Sequence, residues 1–113
     1  KQMNWNNLES LAQLQIIDDE SQSGLVLIFK HSTRCSICVT ALNRLERKWK
    51  DSDSEKIKPY YLDLLQHRDV SNAIAERYGI EHQSPQVLLI SKGKCVYSAT
   101  HLEIFYEELV NKV

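Results

Sequence analysis

The sequence predicts an α/β fold, a mixed sheet of about four strands with helices on both faces, and three observations carry that expectation. Residues 25–29, LVLIF, are an unbroken apolar run of a length suited to a strand buried on both faces. After a polar turn at 30–34, Cys38, Ala41, Leu42, Leu45 and Trp49 recur at helical spacing with charges on the other side. A second strand–helix pair and a strand–turn–strand follow, so the predicted order is helix, strand, helix, strand, helix, strand, strand, helix. Two βα units require parallel pairing with a right-handed crossover, and the closing hairpin adds antiparallel strands.

Each element has its own signal. Lys1 and Gln2 precede Met3, read as a fusion scar, and are set aside. Residues 5–10 lead in, with Trp5 and Leu8 as a lid on the core; a binding role is the alternative for Trp5. Ser10 with Gln13 has the form of a capping box, and Leu11, Leu14 and Ile17 line a helix that fades in Asp18-Asp19-Glu20. The long helix ends at the turn formers Asp51-Ser52-Asp53-Ser54. Its basic cluster, Arg44, Arg47, Lys48 and Lys50, lies where cations offset the helix dipole and reads as a solvated face, or else a docking surface.

Residues 57–62 form the second strand, and Pro59, which cannot donate to a ladder, predicts a sheet-edge position facing outward. A helix of about ten residues follows, capped by Asp69, with Val70, Ala73, Ile74 and Tyr78 inward and Gly79-Ile80 as its stop. The run 87–90 is the third strand, Ser91-Lys92-Gly93-Lys94 a hairpin turn, and 95–97 the last strand. Thr100 with Glu103 is a second capping-box candidate, opening a terminal helix whose apolar side is Ile104, Phe105, Leu109, Val110 and Val113.

A chain of 113 residues accommodates one domain, residues 1–113, with a core sufficient without staples. A net charge of −1 gives no global pull toward nucleic acid or an acidic membrane. With no apolar run long enough to span a bilayer and no signal-peptide pattern, the expected compartment is the cytoplasm. Three cysteines there do not make a structural disulfide framework.

Cys35-Ser36-Ile37-Cys38 falls where the first apolar strand feeds the long helix. First-turn N–H groups lack intrahelical partners and the helix dipole is positive there, so a thiolate at Cys35 is favoured, with Arg34 adding a cation. The spacing allows a small disulfide ring, Cys35 toward solvent and Cys38 about a turn deeper. Attack by Cys35 on a disulfide, then by Cys38 on the mixed disulfide, is thiol–disulfide exchange. Inert core thiols and half of a zinc knuckle are the alternatives; the latter needs two more ligands, and only Cys95, His31, His67, His82 and His101 remain. Cys95 reads as an inert half-buried thiol or as a regulatory or dimer-forming one.

Strand, C-x-x-C at a helix start, and Ser84-Pro85 before a later apolar strand together resemble the thioredoxin fold. That resemblance implies a cis Pro85 lying against the active-site cysteine, with the backbone of Ser84 open to pairing with an extended peptide. Within the fold, Phe29-Lys30-His31-Ser32-Thr33-Arg34-Cys35, His82-Gln83-Ser84-Pro85-Gln86 and the segment around His101 resemble the monothiol bacilliredoxins of the bacillithiol system, across nearly the whole chain. The family implies removal of bacillithiol from oxidised protein cysteines, with Cys35 taking the small thiol onto itself. The chain departs from the family pattern Cys-Pro-Ile-Ser by carrying Ser36 and Cys38, so a resolving Cys38 that expels the thiol and leaves a Cys35–Cys38 disulfide stands beside the monothiol route.

Bacillithiol's malate unit implies a site that offers cations. Lys30, His31 and Arg34 before Cys35, and Gln86 after Pro85, are candidates by location, with solvent exposure at a strand end the alternative for Lys30. Thr33 either hydrogen-bonds near the thiolate or closes the turn, and His101 reads as structural. No bound cofactor is expected. Bacillithiol is the co-substrate, the partners are bacillithiolated proteins and a reductase or free thiol for recycling, and the chain is expected to act as a monomer. The competing readings are a general thioredoxin-like disulfide reductant, a metal or iron–sulfur carrier, and a peptide-binding module without catalysis.

Overall fold

The computed structural model describes residues 3–113, so Lys1 and Gln2, with their reading as a scar, lie outside the described residues. In chain order the strands are β1 (Asn6–Asn7), β2 (Leu25–His31), β3 (Ile57–Asp63), β4 (Gln86–Ser91) and β5 (Lys94–Thr100). The helices are α1 (Ala12–Glu20), α2 (Ser36–Lys48), α3 (Arg68–Tyr78) and α4 (Tyr106–Val110). Among the described residues the sheet has five strands, in the order β1-β3-β2-β4-β5. β2 runs parallel to β3 and antiparallel to β4, and β4 runs antiparallel to β5.

Because side chains alternate along a strand, β2 serves two cores. Leu27 and Phe29 pack with Val87 and Leu89 under Ala41 and Leu45 of α2 and Leu109 of α4. Val26 and Ile28 pack with Leu62 and Leu88 under Leu14 and Ile17 of α1 and Val70 and Ile74 of α3. The Lys92-Gly93 turn has both residues at positive φ, 51° and 74°, the twist that a tight hairpin requires. Gly79 ends α3 at φ 68°, and Ile80 N–H donates back to Ala75 O.

Several expectations are corrected. β2 continues through Lys30 and His31, both buried, where the polar residues suggested a turn. The fifth strand, β1, has no apolar pattern; Asn6 Nδ2 donates to Pro59 O at 3.1 Å and Leu8 N–H to Tyr61 O at 2.8 Å. β3 therefore lies inside the strand order, with Pro59 buried. The proline is tolerated because its nitrogen shares a side with Pro59 O, toward β1, whose pairing reaches only Tyr60 and Tyr61.

At the helix termini, Gln13 Oε1 accepts from Ser10 N–H at 3.0 Å, but no side chain caps α1 from the other direction, so the first capping box is half formed. Leu11 precedes the helix and is 52% exposed. Asp69 lies in the first turn of α3, whose cap position is His67. A 3-10 turn over His101–Glu103 displaces the second capping box, and α4 has only five residues, leaving Phe105 and Val113 exposed. Among the described residues no helix is long and apolar enough to cross a membrane.

Candidate active site

The end of β2, the loop after it and the first turn of α2 bring the two thiols together. Cys35 occupies the N-cap of α2 in extended conformation, and its Sγ accepts from Cys38 N–H at 3.3 Å, a helix-start donor that would otherwise lack a partner. The Cys38 thiol also donates toward Cys35, and these bonds, with Ile37 N–H, hold the Cys35 thiol below its ordinary pKa. Cys38 has no exposed surface, and burial pushes its thiol up, opposed by the Ser84 hydroxyl. Ser84 Oγ lies 3.1 Å from Cys38 Sγ. Cys35 remains partly exposed, so a half-exposed thiol with thiolate character sits above an enclosed one with thiol character.

Ser84 comes from the segment that enters β4, and the Ser84–Pro85 peptide bond is cis. Pro85 is buried, and its carbonyl accepts from His101 N–H at 3.0 Å, giving His101, at φ 56°, a backbone role in this loop. Thr33 and Arg34 are exposed in the loop before Cys35, which closes through Cys35 N–H to Ser32 O and Arg34 N–H to Ser32 Oγ.

The other candidates lie elsewhere. Lys30, His31 and Gln86 are 0%, 3% and 1% exposed and present no surface to a bound thiol. Lys30 and Gln86 are cross-strand neighbours on the sheet face away from α2. His31 is on the α2 face, its Nδ1 2.9 Å from the Tyr61 hydroxyl and its buried Nε2 without a hydrogen-bond partner. Burial lowers its pKa, with Asp63 and Glu46 pulling the other way. Cys95 is half-buried on β5, its Sγ 3.3 Å from Tyr97 O and its pKa raised by burial. Among the described residues no group of three or more His, Cys, Asp or Glu is placed to share a metal ion.

Sequence reading missed Tyr61, Glu46 and Ser71 as neighbours of this region, and it placed His82 in the Ser84-Pro85 motif without its contacts to Lys30 and Ser71. Trp5 Nε1 donates to Glu46 at 2.8 Å, and its ring meets Phe29 and Tyr61, so Trp5 closes this end of the core. His31 meets Tyr61 30 residues away and Lys30 meets His82 52 residues away, so no local pattern signals either pair.

The family model for the monothiol bacilliredoxin BrxC matches residues 6–109. A solved structure of a proposed oxidoreductase with a thioredoxin fold is similar over 93% of this chain and 89% of its own, at 28% identity and a TM-score of 0.80. Thioredoxin from Malassezia sympodialis shares the fold at 12% identity and a TM-score of 0.77, covering 99% of this chain and 91% of its own. Thioredoxin from Trypanosoma brucei brucei does so at 15% identity and a TM-score of 0.74, covering 99% and 89%.

Proposed function

The chain belongs to the monothiol bacilliredoxin family and is a thiol–disulfide oxidoreductase; on that premise we propose that it removes bacillithiol, or a similar low-molecular-weight thiol, from mixed disulfides on protein cysteines. Cys35 Sγ, as thiolate, attacks the small-thiol sulfur; the new S–S bond forms as the old one breaks, and the client cysteine leaves as thiolate. Cys38 then loses its proton and attacks Cys35 Sγ, the small thiol departs with the electron pair, and a Cys35–Cys38 disulfide remains. A reductase or free thiol supplies the two electrons that restore the dithiol. The protein does this as a cytoplasmic, monomeric, single thioredoxin-like domain.

The observation that most supports this reading is the pairing of Cys38 with Cys35, through both N–H and thiol, at a helix start where the family carries one cysteine. Thr33 and Arg34, exposed before Cys35, are the residues we assign to the small thiol's polar groups, and Ser84-Pro85 to the client backbone. Intact-mass spectrometry after exposure to a bacillithiol-modified protein tests the route. Cys38→Ser should retain a small-thiol adduct, wild type should end as an internal disulfide, and Cys35→Ser should do neither. A lasting adduct on wild type makes Cys38 a bystander, and no transfer to either protein overturns de-bacillithiolation in favour of general disulfide reduction.

A further inference from the structure

Lys30 is a fully buried cation on the sheet face away from α2. Its Nζ donates to Ser71 O at 3.2 Å and to His82 Nδ1 at 3.3 Å, and Ser71 Oγ is also 3.3 Å from that nitrogen. Among the described residues no carboxylate pairs with it. Burial lowers its pKa to about 8, so most of it still carries charge at neutral pH. A buried charge facing only neutral partners is a poor device for stability, since replacing it with a hydrophobe of similar volume is often neutral or stabilising.

What Lys30 holds is the segment that reaches the thiols. Gln86, its cross-strand neighbour, donates from Nε2 to Glu81 O at 2.9 Å, so adjacent side chains on β2 and β4 grip Glu81 and His82. His101 N–H holds the far end at Pro85 O. Ser84, lying between these tethers, places its hydroxyl against Cys38 Sγ.

We propose that Lys30 is a positioning residue for the Cys38 half of the reaction: by holding His82 against α3 it keeps Ser84 at hydrogen-bond distance from Cys38. This rests on Cys38 acting as the resolving thiol. The contact matters most when Cys38 is a thiolate, because only then must the Ser84 hydroxyl be the donor.

The test compares Lys30→Met, His82→Leu, the double variant and His82→Gln, which keeps an acceptor at the position. Three readouts are used: adduct transfer to Cys35, closure of the Cys35–Cys38 disulfide, and melting temperature. Lys30→Met should transfer the small thiol at the wild-type rate, close the disulfide about three- to tenfold more slowly, and melt no lower than wild type. His82→Leu should reproduce the slow closure, the double variant should be no slower than either single one, and His82→Gln should stay near wild type. Closure at the wild-type rate, additive losses in the double variant, or parallel loss of melting temperature and both chemical steps would overturn the proposal.

A second measurement separates this inference from the role of Cys38. In a Cys35→Ala background, the Cys38 titration followed by its Cβ chemical shift should move to higher pH with Lys30→Met. Tyr61, whose phenol senses Cys38, is common to both proteins. An unmoved titration refutes positioning by Lys30 even if wild type forms no internal disulfide; a moved titration without an internal disulfide refutes only the resolving role.

Discussion

Replacing Ser84 by Ala removes the hydroxyl 3.1 Å from Cys38 Sγ, and the consequence can be worked through. A hydrogen bond to a charged group contributes about 1.5–3 kcal/mol. At about 1.4 kcal/mol per unit, its loss raises the Cys38 pKa by roughly 1–2 units above a value that burial has already pushed up. The thiolate fraction at neutral pH then falls about 10- to 100-fold. The more basic thiolate is also the better nucleophile, with a Brønsted slope of about 0.4–0.5, so roughly half of the logarithmic loss is recovered. Net closure of the Cys35–Cys38 disulfide should slow by about three- to tenfold at neutral pH, and the rising limb of its pH profile should move up by about 1–2 units. Quenched-flow mass spectrometry of the adduct-bearing protein reads both quantities. A pH profile that stays in place or moves to lower pH would refute the claim that Ser84 stabilises the Cys38 thiolate.

Two further predictions concern stability. His31 is buried with its pKa below the free value of 6.5, so between those two values the unfolded chain binds more protons, and stability falls as pH drops through that window. The urea midpoint of His31→Asn should therefore decline less than that of wild type between about pH 7.5 and about pH 5.5; equal declines would mean that burial does not hold His31 neutral. Gly79→Ala places a Cβ where nothing lies within 4 Å but keeps φ at 68°, so its cost is conformational alone. A loss of about 1 kcal/mol is expected, lowering the urea midpoint by about 0.3–1 M, and an unchanged midpoint would count against a left-handed stop at this position.

Elements set by local chemistry were legible in the sequence. The run Leu25 to Phe29, the Gly79-Ile80 stop and the Lys92-Gly93 turn each rest on neighbours within a few residues, and each is found where expected. The pairing of Cys35 with Cys38 at a helix start follows from the same short-range logic. Features fixed by distant partners were not legible. Lys30 and His31 read as a polar turn because the groups that let them stay inside a strand, Ser71, His82 and Tyr61, arrive from β3, α3 and the loop before β4. β1 was invisible for a related reason: two asparagines carry no hydrophobic period, and their place depends on what β3 leaves unpaired.

That division bears on how the two thiols come to differ. Cys35 and Cys38 share a helix turn, but only the Cys35 sulfur, at the N-cap, accepts from the first-turn N–H groups of Ile37 and Cys38. At Cys38 the difference is widened by burial, which removes the thiol from water, and narrowed by Ser84, 46 residues away, which returns one hydrogen bond. With Cys35 shifted down and Cys38 up, the thiolate population at neutral pH lies on the exposed sulfur, where an incoming mixed disulfide can be met. Once Cys35 is in a disulfide it no longer accepts the Cys38 thiol proton, and Ser84 becomes the side-chain donor left to a Cys38 thiolate. For the proposed route, the second step is therefore the one that residues distant in sequence control.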